Sequence, residues 1–135
     1  HIPSISPTTG RYASTFGARV HPITGVSRMH NGIDIANSRW TPIYASADGV
    51  VTVSRYSESF GNYVALDHGN GYVTKYAHMQ LNSVKQGQFV KRYQLLGYMG
   101  NTGLSAGPHL HHEVWYNSKA VNPLRYILPG EYAIQ

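Results

Sequence analysis

The stretch Gly107–Tyr116, GPHLHHEVWY, places three of the chain's eight histidines within four consecutive positions. Each imidazole needs hydrogen-bond partners and neighbouring imidazoliums repel, so such crowding asks for a chemical reason. In a strand, side chains alternate between faces. Strand geometry therefore predicts His109, His111, Glu113 and Trp115 on one face, with Leu110, His112, Val114 and Tyr116 on the other. Two imidazoles aimed into one cleft can meet a metal or a substrate, and His112 is set apart from them. In a second segment, HNGID, Asp34 follows His30 by four residues with Gly32 between them. The glycine predicts a loop or irregular extended segment in which the two side chains converge. Imidazole plus carboxylate is a donor set that zinc accepts. One histidine of the HxH pair brings the protein donors to three, leaving a position open as catalytic rather than structural zinc sites do. A third segment, KYAHM, carries His78. Strand parity places His78 on the face of Thr74 and Tyr76, at a strand end from which it can reach the cleft.

Other metals fit the spacing less well. The facial triad of non-haem iron oxygenases also uses two histidines and a carboxylate, but typically through an HxD/E pair and a distant histidine. Cupin-like sites place a Glu several residues after HxH and then a further histidine, whereas here Glu113 follows His111 directly by two and no histidine follows His112. The spacing favours zinc hydrolysis. An HExxH helix is absent, so no glutamate of that kind serves as base and the base falls to a histidine.

The rest of the composition says what must position these groups. The chain has 135 residues, 41% of them hydrophobic, and 14 scattered glycines, as expected of one turn-rich globular domain. A charged content of 13% argues against a long-helix protein. The absence of cysteine excludes disulfides, thiolate–zinc sites and a cysteine nucleophile. No apolar run approaches the roughly 18 residues of a spanning helix. The net charge is +5, but the basic residues are dispersed and only Lys91 and Arg92 are adjacent. A nucleic-acid stripe is not expected; attraction to an anionic surface such as a bacterial wall is.

No window shows a helical period of useful length. TPIYASADGVVTVSRY predicts a short strand, a turn at Ala47–Gly49 and a second strand. NYVALDHGNGYVTKYAHM predicts a hairpin turning on HGNG. GQFVKRYQLLGYMG predicts another strand pair, and HLHHEVWYNSKAV a final hairpin through Asn117–Lys119. The expected fold is an all-β antiparallel sheet, sandwich or open barrel. Residues 1–13 read as an extended lead-in that ends an upstream segment, 14–130 as one catalytic domain and 131–135 as a tail. A chain opening at His1 without an export signal reads as trimmed from a longer product.

These motifs, with FGARVHPITG, TPIYASADGVV, LLGYMGNTGLSAGPHLHHEV and VNP in order, resemble the lysostaphin-type, or LytM-like, zinc metallopeptidases of bacterial peptidoglycan. The resemblance runs from the FGARVHPITG segment to VNPLRYIL. It implies a compact antiparallel sheet with a long groove. It also implies one zinc ion held by His30, Asp34 and His111, with His78 and His109 as catalytic residues. All five positions are filled, which favours a cutting enzyme over a non-catalytic wall-binding or amidase-activating module of the same fold. Zinc-activated water would attack the scissile carbonyl with histidine assistance, and activity would fall on acidification as the ligands protonate. The implied setting is the periplasm or exterior of a bacterial cell, the partner a peptidoglycan peptide, the protein a monomer, and any inhibitory or targeting segment lies upstream. The histidine-bearing RVHPITG segment resembles Gram-negative envelope members, favouring direct cross-links over glycine bridges. The chain departs from the family in having His112 where Phe is common and Arg92 where Gly is common.

The remaining residues receive modest roles. His68 is expected in a turn that buttresses the cleft, and His21 to anchor a loop. His1 is a boundary residue, and Asn101, Thr102 and Ser105 are loop residues that can line the groove.

Overall fold

The computed structural model describes residues 2–20 and 22–127. His1, His21 and the expected 131–135 tail lie outside the described residues, as do 128–130 at the end of the expected domain. Four short strands come first: β1 Arg11–Ser14, β2 Gly17–Val20, β3 Ser27–His30 and β4 Ile33–Ala36. Next are β5 Pro42–Tyr44, β6 Gly49–Ser57, β7 Gly61–Gly69 and β8 Tyr72–Asn82. The chain continues through β9 Phe89–Val90, β10 Leu95–Met99, β11 His109–Tyr116 and β12 Lys119–Val121, with a 3₁₀ turn at Pro123–Tyr126. The main sheet runs β1-β4-β11-β8-β7-β6-β9, with β10 bridging β8 to β5 and β12 on β11; β2 and β3 form a separate hairpin. Every pairing is antiparallel.

Alternation along the central strands divides the sheet into two faces. Val64, Leu66, Tyr76 and Leu110 enter the main core with Val51, Val90, Leu96 and Met99. Ile33 and Ile35 of β4 pack with Ile127 in a smaller cluster. The opposite face carries Asp34, His111, Glu113, Lys75 and Trp115 and forms the floor of a groove.

The two expected hairpins are present. β7 and β8 turn through Gly69–Gly71, with Asn70 at φ 53°, and β11 and β12 turn through Asn117 and Ser118, at φ 47° and 66°. Positive φ at both central residues is what a two-residue hairpin turn needs. The GQFVKRYQLLGYMG segment differs from expectation: β9 pairs with β6, and β10 with β5 and β8. Its turn is anchored elsewhere, because the Tyr93 N–H donates to the Ala45 carbonyl and the Arg92 N–H to Asp48 Oδ1. These anchors carry the chain across the core instead of folding it back. The positive φ of this turn falls at Tyr93, 71°, so the arginine at 92 requires no glycine-like backbone.

Strand β1 begins at Arg11, inside the stretch read as lead-in. Residues before it run against the body: the Ser4 N–H donates to the Ser46 carbonyl, the Tyr44 N–H to the Pro7 carbonyl and Thr8 Oγ1 to the Pro42 carbonyl.

Candidate metal centre

The register brings the two sequence motifs together. Asp34 on β4 is the pairing partner of His111 on β11, so their side chains leave the sheet side by side on the groove face. His30 closes β3, and the chain returns into β4 through Asn31 and Gly32. A Cβ at Gly32 would overlap the His112 carbonyl and crowd the Glu113 side chain. The glycine is thus required by close backbone approach to β11 more than by a special turn angle.

One donor atom each from His30, Asp34 and His111 lies within 4.8 Å of the others. His111 Nδ1 is 2.8 Å from Asp34 Oδ1, and His30 Nε2 is 3.4 Å from Asp34 Oδ2. His109 Nε2 approaches Asp34 Oδ1 at 3.8 Å. The His78 and His109 rings are 4.8 Å apart, centre to centre, so both stand beside the triad.

His78 arrives by a route that strand parity does not predict. Between the pairs Val64–Tyr76 and Asn62–Met79, β8 advances three residues while β7 advances two. This is a β-bulge, and within it His78 takes φ 63°. Tyr76 faces the core, so strict alternation would have buried His78 there too. The bulge reverses it onto the groove, a re-aiming for which bulges beside active sites are known.

Each imidazole is held in one tautomer by a partner behind it. His30 Nδ1–H donates to the Thr15 carbonyl at 2.8 Å, His78 Nδ1–H to Thr102 at 2.7 Å and His109 Nδ1–H to Gly107 at 2.8 Å. All three therefore present Nε2 to the groove. His111 is reversed. Its Nε2–H donates to Glu113 Oε2 at 2.7 Å, which leaves Nδ1 toward Asp34. Glu113 is buried and is itself fixed by the Trp115 indole N–H, 2.7 Å from Oε1. Metal-binding histidines characteristically carry such a partner on the far nitrogen, and the donor set is one zinc accepts. The site fits a zinc ion.

The charges agree with this arrangement. Burial disfavours the His111 cation, but hydrogen bonds to Asp34 and Glu113 and their negative charges outweigh it, raising its pKa to about 9. Burial also works against the Asp34 carboxylate. Its hydrogen bond to His111 and the charges of His111, His30 and His109 nevertheless hold its pKa below the ordinary value. Burial lowers the pKa of His78 against the pull of the Thr102 carbonyl, and the neighbouring His109 and His111 charges add to the lowering.

The structure gathers His30, Asp34, His78, His109 and His111 into one groove and, among the described residues, leaves two histidines elsewhere. His68 lies within β7, not in the turn, and faces the core; it contacts the Asp48 carbonyl and Thr74 Oγ1, both at 2.7 Å. Thr74 continues to the buried Tyr76 hydroxyl at 2.8 Å. His112 is buried against the Tyr76 ring and donates to the Lys75 carbonyl at 3.1 Å.

Burial takes the His112 pKa down to about 3. An unfolded chain binds that proton near pH 6.5. Between those values the unfolded state holds more protons, so stability is present above about 6.5 and lost as pH falls, by about 1.4 kcal/mol per pH unit. His112→Phe removes this term. Relative to the parent, the variant is expected to gain about 2–3 kcal/mol on going from pH 7 to pH 4.5, read by urea unfolding at both pH values; parallel pH profiles would contradict this.

Two groups were not named as site residues in the sequence. Glu113 had a signal, since parity already put it two residues along the groove face from His111. Thr102, expected among the loop residues that can line the groove, acts through its carbonyl, which no side-chain pattern reveals. Phe60 stacks on His111 with ring centres 5.9 Å apart, and nothing in its local sequence predicts it. Ser105 was expected near the groove and lies there, its hydroxyl 3.2 Å from His109 Nδ1.

The profile of peptidase family M23 matches residues 28–123, a span containing all five groove residues. The chain belongs to this family. Among M23 relatives, the peptidoglycan DD-endopeptidase ShyA of Vibrio cholerae is 44% identical over 120 residues, covering 88% of this chain and 28% of ShyA. The M23 chain here therefore spans less than a third of that relative. A crystal structure of a zinc-containing peptidase from Vibrio cholerae superposes with a TM-score of 0.88 at 37% identity, covering 96% of this chain and 41% of the other. The catalytic domain of lysostaphin from Staphylococcus simulans gives a TM-score of 0.76 at 30% identity, with 87% and 91% covered. The antiparallel groove fold and the lysostaphin-type resemblance both follow from these matches.

Proposed function

We propose that this M23 domain is a zinc-dependent endopeptidase of bacterial peptidoglycan, with His30, Asp34 and His111 holding the metal and His78 and His109 handling the reacting protons. One observation carries the reading: Asp34 and four histidines from β3, β4, β8 and β11 converge in an open groove, each imidazole with its tautomer set from behind. Zinc, when bound, supplies Lewis-acid activation of water and of the scissile carbonyl. The protein's own groups do the rest. His78, kept neutral by burial, offers the Nε2 lone pair and takes the proton of the attacking water. His109, its ring fixed by the Nδ1–H on the Gly107 carbonyl, turns Nε2 to the same space and is the electrostatic partner of the developing oxyanion. Phe60 packs on the His111 ring and keeps water from that side.

The bond proposed is the direct D,D cross-link between stem peptides, in line with the similarity to ShyA and with the RVHPITG segment. The setting is the cell envelope; among the described residues no helix is long and apolar enough to cross a membrane. The unit is a monomeric domain that begins no later than β1 at Arg11, and an upstream segment that targets or covers the groove belongs to the same proposal. Purified sacculi should lose turbidity with the zinc-loaded protein, stop doing so on chelation and resume when zinc returns. Binding to sacculi without solubilisation would favour the non-catalytic module.

A further inference from the structure

We propose that the groove face carries a second binding site, for an N-acetylated glycan, at the hairpin ends of β7–β8 and β11–β12. The register sets its floor. Lys75 pairs with Glu113, Val73 with Trp115 and Asp67 with Val73, so Lys75, Trp115 and Asp67 share the face of His111. Around them opens a cavity whose rim is made by Asn70, Asn117 and Ser118 from the two turns.

The chemistry of this cavity is specific. The Trp115 indole N–H is committed to Glu113, so the ring offers only its half-buried apolar surface. Lys75 Nζ lies 4.9 Å from the ring centre and supplies a movable cation and donor. Asn70, Asn117 and Ser118 stand at positive φ, and the Asn117 N–H donates to the Gly71 carbonyl at 2.9 Å, tying one turn to the other. The two turns that carry the rim residues are thereby held beside one another. An aromatic surface surrounded by planar amides, a carboxylate and a hydroxyl suits a pyranose: its C–H face lies on the ring while hydroxyl and acetamido groups meet the rim. A purely apolar ligand would leave those rim groups unpaired, and an anion would meet Asp67.

Position adds to the case. Trp115 follows His111 by four residues on the same face, about 13 Å at the rise of a strand. An extended peptide of four residues spans roughly the same length. A glycan on Trp115 would let its own stem peptide run along the groove to the metal centre. That last step rests on the peptidase reading; the glycan site itself does not.

The test is an amide NMR titration of the zinc-loaded protein with a β-1,4-linked N-acetylglucosamine trimer. Expected are saturating shifts confined to 67–75 and 115–118 and to the Trp115 indole N–H. A double Asn70→Gly, Asn117→Gly variant keeps the turn backbone accessible and should bind about tenfold more weakly, as should Trp115→Ala. Trp40→Ala, which removes the other tryptophan, exposed on the surface, should bind as the parent does. The proposal is overturned by an absence of saturating shifts, by shifts centred on His78 and His109, by undiminished binding in the glycine variant, or by a sugar-free stem tetrapeptide giving the same shifts. A protein that binds the trimer yet cuts nothing would overturn the peptidase reading alone.

Discussion

Replacing His109 or His78 by alanine is expected to lower turnover of cross-linked peptidoglycan by about 10²- to 10⁴-fold while one zinc ion per chain is retained. Both rings stand beside the metal triad without belonging to it: they touch each other across 4.8 Å and each is fixed through Nδ1 to a backbone carbonyl. Loss of either removes a positioned proton acceptor or donor and leaves His30, Asp34 and His111 with their own partners. The double variant should be little worse than the poorer single one, because groups that act as a unit are non-additive. The two single variants should also differ in pH dependence. If His78 is the acceptor, its removal takes away its own share of the acidic limb of kcat/KM and leaves that of ligand protonation, whereas removal of His109 lowers the whole profile. A parental rate in either variant would sink the corresponding role, and loss of zinc would show that the ring supports the metal instead.

Removal of Asp34 should have the largest effect on metal content. Its carboxylate touches His111 and approaches both His30 and His109, so Asp34→Ala deletes a proposed ligand and the group that gathers the others. Glu113→Gln provides the calibrating comparison. It removes only the charge behind His111, and outer partners of metal-binding histidines typically contribute about 10–100-fold in affinity. Asp34→Ala should exceed that loss, measured by competition against a chromophoric chelator. Proton linkage gives an independent readout. In the metal-free protein the His111 pKa is raised to about 9, so the stability its ion pairs contribute is fully present below about pH 6.5 and lost as pH rises through 9. Zinc must displace that proton, so its apparent affinity should climb with pH and level off near 9. Affinity independent of pH between 6.5 and 9 would contradict the assignment of His111 Nδ1 as a donor atom. In Glu113→Gln the plateau should begin at lower pH.

Much of this centre was legible in the sequence because strands report side-chain direction with a period of two. That rule separates His109 and His111 from His112 and also puts Glu113 on the groove face. It fails at His78, where one extra residue in β8 reverses the parity; the residue reaches the groove for a reason invisible in KYAHM. Gly32 was readable as a constraint, but its cause, the His112 carbonyl of a strand about eighty positions away, is tertiary. The same holds for GQFVKRYQLLGYMG, where local pattern suggests a pair and distant anchors at Ala45 and Asp48 decide otherwise. Among the short strands, β4 alternates buried Ile33 and Ile35 with Asp34, and it lies between β1 and β11, where Asp34 pairs with His111.

The measurement that tests the account most directly is mass spectrometry of a purified cross-linked muropeptide dimer incubated with the zinc-loaded protein, with its chelated form and with His109→Ala. The account predicts conversion of the dimer to two monomers by addition of one water at the D,D bond, by the zinc-loaded parent alone. A dimer left intact by protein holding one zinc per chain, or cut equally well after chelation or by the variant, would contradict it.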